Sequence, residues 1–266
     1  MTDNSTNKIH LHNASFWDQE ALAQKPWSQP VSQEIIASAK KGRWELHITK
    51  KSLPHSWLPL DIKGKDILCL ASAGGQQAPV LAAAGANVTV YDISEEQLAL
   101  DQYVVKRDNL SLIAMQGDMT NLSALSDDKF DYIINPISNL YIPDVNPVWR
   151  ECYRVLRNQG VLLSSFYNPI LFMFERDLDL EKSGLIKPKY KIPYSDIDSL
   201  SHEHYQEKIK KGEAIVFGHS LTDQINGQLE AGFKLTRFYE DEHPNPRFLI
   251  EQYMPTMIAT RAEKIK

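Results

Sequence analysis

Four short apolar runs of this chain each end in residues suited to holding a polar ligand. Ile67–Ala71 runs into a turn of small residues, Ala71-Ser72-Ala73-Gly74-Gly75, followed by Gln76. Asn87–Tyr91 ends at Asp92, Leu112–Met115 at Gly117-Asp118, and Phe130–Ile134 at Asn135-Pro136. Small residues let a ligand come close to the backbone. Carboxylates beside them accept hydrogen bonds from it. The turn lacks G-x-G-x-x-G, because Gly74 is followed two residues later by Gln76, and no G-x-x-x-x-G-K-[ST] occurs. Gln76-Gln77 offers phosphates no cation. These residues point to a ligand with a ribose and without a pyrophosphate, and no nucleophile–base pair stands out.

The elements that must position these residues can be read from the same stretch. Ile67–Ala71 is a short apolar run read as a strand, and Asn87–Tyr91 is apolar enough to be a strand buried on both faces. Between them Gln76–Ala84 reads as a helix stopped by Gly85. Ser94 caps a second helix, with Gln97 at the capping-box position, running to about Arg107. Leu112–Met115 and Phe130–Ile134 follow as strands. Val148, Cys152, Val155 and Leu156 make Val145–Asn158 an amphipathic helix, and Val161–Phe166 a fifth strand. A helix over about Leu221–Ala231, with Gly232 as its C-cap, precedes two closing strands, Phe233–Tyr239 and Thr256–Arg261. Such alternation specifies an α/β fold with a parallel, doubly wound sheet and right-handed crossovers. Ligands of such sheets bind beyond the carboxyl ends of the strands, where all four special segments fall.

The remaining segments frame this core. Residues 1 to about 14 are polar and expected to be loosely held. Ser15–Pro59 carries Trp17, Trp27, Trp44 and Trp57, with Ser32 capping a short helix that ends at Gly42. Two readings stand for the tryptophans: glue between a helical extension and the sheet, or, for one or two of them, the mouth of a pocket. Residues 167–222, with Pro169, Pro188 and Pro193, interrupt the alternation as a lid or substrate-binding insertion. The expected division is an N-terminal extension over 1–60 and a core over 61–266 containing that insertion. The 266 residues are 42% hydrophobic and 24% charged, with a net charge of −5, as in ordinary soluble proteins. That charge argues against nucleic acid or an anionic membrane as the main partner. Cys69 and Cys152 sit in apolar patterns and imply neither a disulfide nor a metal; His202-Glu203-His204 has no third ligand at a metal-like spacing. The N-terminus lacks an apolar signal region and no run approaches the ~18 apolar residues of a membrane span. A cytoplasmic location is expected.

From Lys65 to about Phe166, together with the closing strand pair, the chain resembles a class I S-adenosylmethionine-dependent methyltransferase. Such families open with L-D-x-G-x-G-x-G. The matching run here is Leu68-Cys69-Leu70-Ala71-Ser72-Ala73-Gly74-Gly75, which keeps only Gly75. Cys69 replaces the usual acid, and alanines at 71 and 73 still permit close approach where φ is negative. The resemblance implies a Rossmann-like, seven-stranded, mostly parallel sheet with an antiparallel last strand. It also implies S-adenosylmethionine as cofactor, S-adenosylhomocysteine as product and no metal. Asp92, in its Asp-Ile93-Ser94 context, would accept both ribose hydroxyls, and Gly117-Asp118-Met119 would hold the adenine. Ala71–Gln76, Gln97, Asn135 and Pro136 complete the implied cofactor set.

Other readings of these residues remain open. The small-residue turn serves tight packing alone, Asp92 a helix cap alone, or Asp118 is a solvated loop acid. Asn135-Pro136-Ile137-Ser138 lacks the second proline and the aromatic of amine-methylating N-P-P-[aromatic] motifs, which leaves a turn with a backbone contact to the ligand. The sulfonium is already activated, so positioning, worth roughly 7–11 kcal/mol, can dominate the rate. Asn139, Tyr141, Tyr167, Asn168 and His219 are substrate-side candidates by location alone. An extension and insertion covering the pocket suit a small-molecule acceptor. The alternatives are a protein that binds S-adenosylmethionine or S-adenosylhomocysteine without turnover, or another transferase using the same cofactor. Aminopropyl transfer would want an acidic cluster beyond Asp92 and Asp118. Nucleic-acid methylation would want a basic face, and the four lysines of Lys182–Lys191 are followed by acids. Oligomeric state is not encoded legibly.

Overall fold

A computed structural model describes residues 3–174 and 178–265. Seven strands form one sheet: β1 Asp66–Leu70, β2 Asn87–Asp92, β3 Ile113–Gln116, β4 Phe130–Asn135, β5 Leu156–Tyr167, β8 Phe233–Asp241 and β9 Met257–Lys264. A separate two-stranded pair joins β6 Tyr194–Ser195 to β7 Phe217–Gly218. The large sheet runs in the order β3-β2-β1-β4-β5-β9-β8. Its first five strands are parallel, with Cys69 between Val90 and Ile134. β9 is antiparallel to both of its neighbours. The order reverses between β1 and β4, which opens a crevice at their carboxyl ends.

The side-chain period of two divides the core between the sheet's faces. Ile67 and Cys69 join one cluster with Trp44, Leu46, Trp57, Leu81 and Val90. Leu68 and Leu70 join the other with Phe130, Ile133, Trp149 and Cys152. The tryptophans of the extension therefore divide: Trp44 and Trp57 are core residues.

The helices are α1 Asp3–Leu22, α2 Gln33–Ala39, α3 Gln77–Ala83, α4 Glu95–Asp108, α5 Asn146–Val155, α6 Leu178–Lys182, α7 Asp196–Ser199, α8 His202–Lys210 and α9 Gly227–Glu230. Three expectations need correction. The N-terminal stretch is helical from Asp3 rather than loose. Ile9 packs on Ile215 and Phe217, and buried Asn13 donates to the carbonyls of Tyr141 (2.8 Å) and Ile215 (2.9 Å) and accepts from the Ile215 amide (2.8 Å). These partners are distant in sequence. Residues 1 and 2 of that stretch lie outside the described ones.

The helix expected over Val145–Asn158 is α5, which stops at Val155. Arg157 reaches Asp131 (3.0 Å) and Asp66 (2.7 Å), and Leu156 pairs with Phe130, so the chain is already extended there. The helix expected over Leu221–Ala231 begins as a π turn, Thr222–Asn226. There the Asp223 carbonyl accepts from Trp149 Nε1 at 2.9 Å. A Cβ on Gly227 would come within 2.8 Å of the Trp149 ring.

The insertion is organised around Asp196, whose carboxylate accepts from Tyr194 Oη, Lys208 Nζ and the Val216 amide, each at 2.7 Å. Glu175–Asp177 of the insertion lie outside the described residues. His202 and His204 are exposed on α8. Among the described residues no helix is long and apolar enough to cross a membrane.

Candidate active site

A cavity of about 410 Å³ lies beyond the carboxyl ends of the parallel strands. Its floor is the turn after β1, where Ala71, Ser72, Ala73 and Gln76 line the space. The turn is tighter than its alanines suggested. Ala71 and Ala73 both have positive φ (47° and 62°), as does Gly75 (71°). The expectation that these alanines sit at negative φ is therefore wrong. Left-handed backbone costs a non-glycine residue about 1–2 kcal/mol, so its surroundings must hold it. Gly74 N donates to Gln97 Oε1 at 2.7 Å, and Gly75 N to Asp101 Oδ1 at 2.8 Å. A Cβ on Gly74 would lie 2.0 Å from the Gln97 carbonyl oxygen. α4 thus packs directly under the turn.

Gln97 is only partly the residue anticipated. Ser94 Oγ caps α4 by accepting from the Gln97 amide at 3.1 Å. The Gln97 side chain does not return to Ser94, as a capping box requires. It holds Gly74 and donates to Ser28 Oγ at 2.6 Å. The Ser94 amide instead donates to Asp92 Oδ1 at 3.0 Å.

Asp92 and Ile93 form the next part of the wall. Burial pushes the Asp92 carboxyl up to about 6, against the pull of the Ser94 and Ile93 amides and with a push from the Asp18 charge. Asp18, on α1, accepts from Ser94 Oγ (2.6 Å) and the Glu96 amide (3.2 Å). Gly117, Asp118 and Met119 follow on the wall. Gly117 is required by space, since a Cβ would stand 2.1 Å from Tyr91 Oη. His10 Nδ1 contacts Asp118 Oδ2, and the Thr120 amide donates to Asp118 Oδ1 at 2.8 Å. Burial would raise the Asp118 carboxyl, but these donors hold it below its ordinary value. Among the described residues, two polar atoms of the lining, Ser72 Oγ and His10 Nε2, are buried without a hydrogen-bond partner. Such atoms mark a wall that completes its hydrogen bonds with a polar ligand.

A methyltransferase-domain pattern matches residues 68–164. The uncharacterized methyltransferase YbaJ of Bacillus subtilis is 45% identical over 97% of this chain and 100% of its own length. The chain belongs to the same methyltransferase family. The fold is shared with an S-adenosylmethionine-dependent methyltransferase of Mesorhizobium loti (TM-score 0.60, 18% identity, 79% of this chain and 94% of that one). It is also shared with a Listeria monocytogenes protein assigned to the same class (TM-score 0.61, 21% identity, 79% and 95%).

The methyltransferase's other sequence candidates divide between the cavity and the interior. Pro136, Tyr141 and Tyr167 line the cavity. Asn135 does not; it donates to the Leu70 carbonyl (3.2 Å) and Ser138 Oγ (3.0 Å) and accepts from Ser164 Oγ (3.0 Å), tying three strands together. Asn139 is buried and donates to Gln224 Oε1 at 3.1 Å, while His219 Nε2 meets the Asn139 carbonyl at 3.0 Å. Burial lowers the His219 imidazole's proton affinity despite those partners. Asn168 caps a short turn through the Ile170 amide at 3.2 Å. None of these three lines the cavity.

The residues that sequence reasoning missed come from outside the opening βαβ unit. His10, Asn13, His47 and Lys50 line the cavity, as do Trp17 and Trp27 among the tryptophans. Asp101 lies beneath it, with burial pushing its carboxyl up to about 8 against the Gly75 amide. Its position on α4, one helical turn beyond Gln97 and on the same face, was the available signal.

Proposed function

We propose that this methyltransferase moves a methyl group from S-adenosylmethionine to a small-molecule acceptor by in-line displacement, with positioning as its main catalytic device. The observation that carries the reading is Asp92, buried in the cavity wall with Oδ1 on the Ser94 amide. Its carboxylate would accept the ribose hydroxyls. Asp118 and Met119 would face the adenine, and Ala71–Gln76 the methionine portion. Ser72 Oγ and His10 Nε2 supply the unpartnered polar atoms that such a ligand would complete.

The bound cofactor supplies an activated methyl on a sulfonium, so the chain need not build a nucleophile. The residues' part is to orient two ligands and exclude water. Tyr141 is held in its neutral form, because burial and the neighbouring Tyr167 and Glu20 push its hydroxyl well above the ordinary tyrosine range. It would act as a hydrogen-bond donor rather than a base. Trp17, Trp27, Tyr141 and Tyr167 give the acceptor aromatic walls, and Trp17, on α1, meets Tyr141 edge-on with ring centroids 5.2 Å apart. An enclosed cavity of this size favours a metabolite over a polymer.

Titration calorimetry with S-adenosylmethionine, S-adenosylhomocysteine and NAD tests the reading. Both adenosyl compounds are expected to bind and NAD is not. Asp92→Ala should weaken both by about a hundredfold, the cost of losing two charge-assisted hydrogen bonds. Affinity should also fall as the pH drops below about 6, where Asp92 takes up a proton. Tight NAD binding with no affinity for either adenosyl compound would refute the assignment.

A further inference from the structure

We propose that the methyl acceptor carries a small oxyanion, a carboxylate or a phosphate, which is held by Lys50 at the Tyr167 end of the cavity, with the Arg247 charge behind Tyr167 adding to the attraction. This deepens the methyltransferase reading and rests on it. Lys50 lines the cavity, its Nζ standing 3.7 Å from the centroid of the Trp27 ring. Arg247 stands behind Tyr167, another lining residue, donating from Nη2 to Tyr167 Oη at 3.3 Å. Its guanidinium carbon lies 5.5 Å from the Tyr167 ring centroid.

Counter-charge is scarce at this end. Among the described residues, the carboxylates lining the cavity are Asp92 and Asp118, both assigned to the nucleoside. Lys50 forms no ion pair among the described residues. His47, which also lines the cavity, faces Glu45 at 3.5 Å. Glu20, on α1, is close enough to Tyr141 to raise its hydroxyl but does not line the cavity.

Among the described residues, the carboxylate on Arg247 is Glu251, and it is already shared. Glu251 Oε1 accepts from Arg247 Nη2 (3.2 Å) and Thr256 Oγ1 (3.1 Å), and Oε2 accepts from the amides of Arg247 and Phe248. Arg247 Nε is buried without a hydrogen-bond partner among the described residues. A guanidinium offers its five donors in a fixed fork that matches carboxylate and phosphate oxygens.

The cations at this end also act on one another. Burial and then the Arg247 charge lower the proton affinity of Lys50, and burial, Arg247 and Lys50 lower that of His243. Like charges gathered beside a cavity in a chain of net charge −5 are relieved by an anion. Binding one therefore gains twice, by attraction and by relieving repulsion.

The test is titration calorimetry on the complex with S-adenosylhomocysteine, using sodium benzoate, phenyl phosphate and neutral benzamide as probes. One of the two anions should bind about tenfold more tightly than benzamide, as a charge-assisted hydrogen bond requires. Whichever anion wins identifies the group. Lys50→Ala should remove that preference while leaving S-adenosylhomocysteine affinity within about twofold. Arg247→Lys, which keeps a charge beside Tyr167, should retain part of it. Equal binding of benzamide and the anions, or no binding of either anion, overturns the proposal. So does a Lys50→Ala variant that loses S-adenosylhomocysteine as strongly as it loses the anion, because the lysine then serves the cofactor's own carboxylate. The same titrations without S-adenosylhomocysteine separate the two readings. A chain that binds neither adenosyl compound yet still prefers anions through Lys50 refutes the cofactor assignment and upholds the anion site.

Discussion

His10 Nδ1 rests against Asp118 Oδ2, so a residue on the first helix is latched to the loop that leaves β3. The contact joins a part of the chain without sequence motifs to a residue expected to hold adenine. With Nδ1 committed to the carboxylate, Nε2 faces the cavity wall with no hydrogen-bond partner among the described residues.

His10→Ala should loosen α1 without unfolding the sheet. A partly buried pair of this kind contributes about 1 kcal/mol, so hydrogen exchange at the amides of α1 should speed roughly fivefold. Amides of β1 and β4 should not change. Because Asp118 is held below its ordinary value, the latch is intact above the ordinary aspartate range. It fades as the pH falls through the lower, folded-state value. Equal exchange in both proteins would show that α1 is held without the latch.

Asp101 makes the opposite prediction. Its carboxyl is raised to about 8 by burial, so the folded protein binds this proton more tightly than the unfolded chain does. Stability therefore falls as the pH rises from about 4 towards 8. Asp101→Asn mimics the protonated acid and keeps an oxygen for the Gly75 amide. Its melting temperature should exceed the parent's by a few degrees at pH 8.5, and the difference should vanish near pH 5.5. A gain that is the same at both values would refute the account.

Ala73→Gly should stabilise the protein. At φ 62° the alanine carries about 1–2 kcal/mol of left-handed strain, whereas glycine costs about 0.5–1 kcal/mol through the freedom of the unfolded chain. A net gain of about 0.5–1 kcal/mol should appear in urea unfolding as a higher midpoint with an unchanged slope. A loss would mean that the methyl group's own contacts outweigh the strain.

Most of the sheet was legible because its signals are local. The continuous apolar run Ile67–Leu70, the Ser94 cap and the glycine after α3 each act within a few residues. The cavity was half legible for the same reason. Asp92, Asp118 and the turn announce themselves at strand ends. His10, Lys50 and Arg247 reach the cavity or its wall through contacts distant in sequence, which no periodicity records. The turn misled because alanine carries no mark of positive φ. The residues that enforce it, Gln97 and Asp101, lie a helix away.

β9 has a consequence for how the protein is made. The sheet's last strand in sequence lies between β5 and β8, both of which leave the ribosome before it. Until Met257–Lys264 arrives, each of those earlier strands keeps an unpaired edge, and such edges invite pairing between chains. Completion of the sheet must therefore await the synthesis of Met257–Lys264. A nascent or clipped chain lacking this strand would be an aggregation hazard even with every cofactor-facing residue in place.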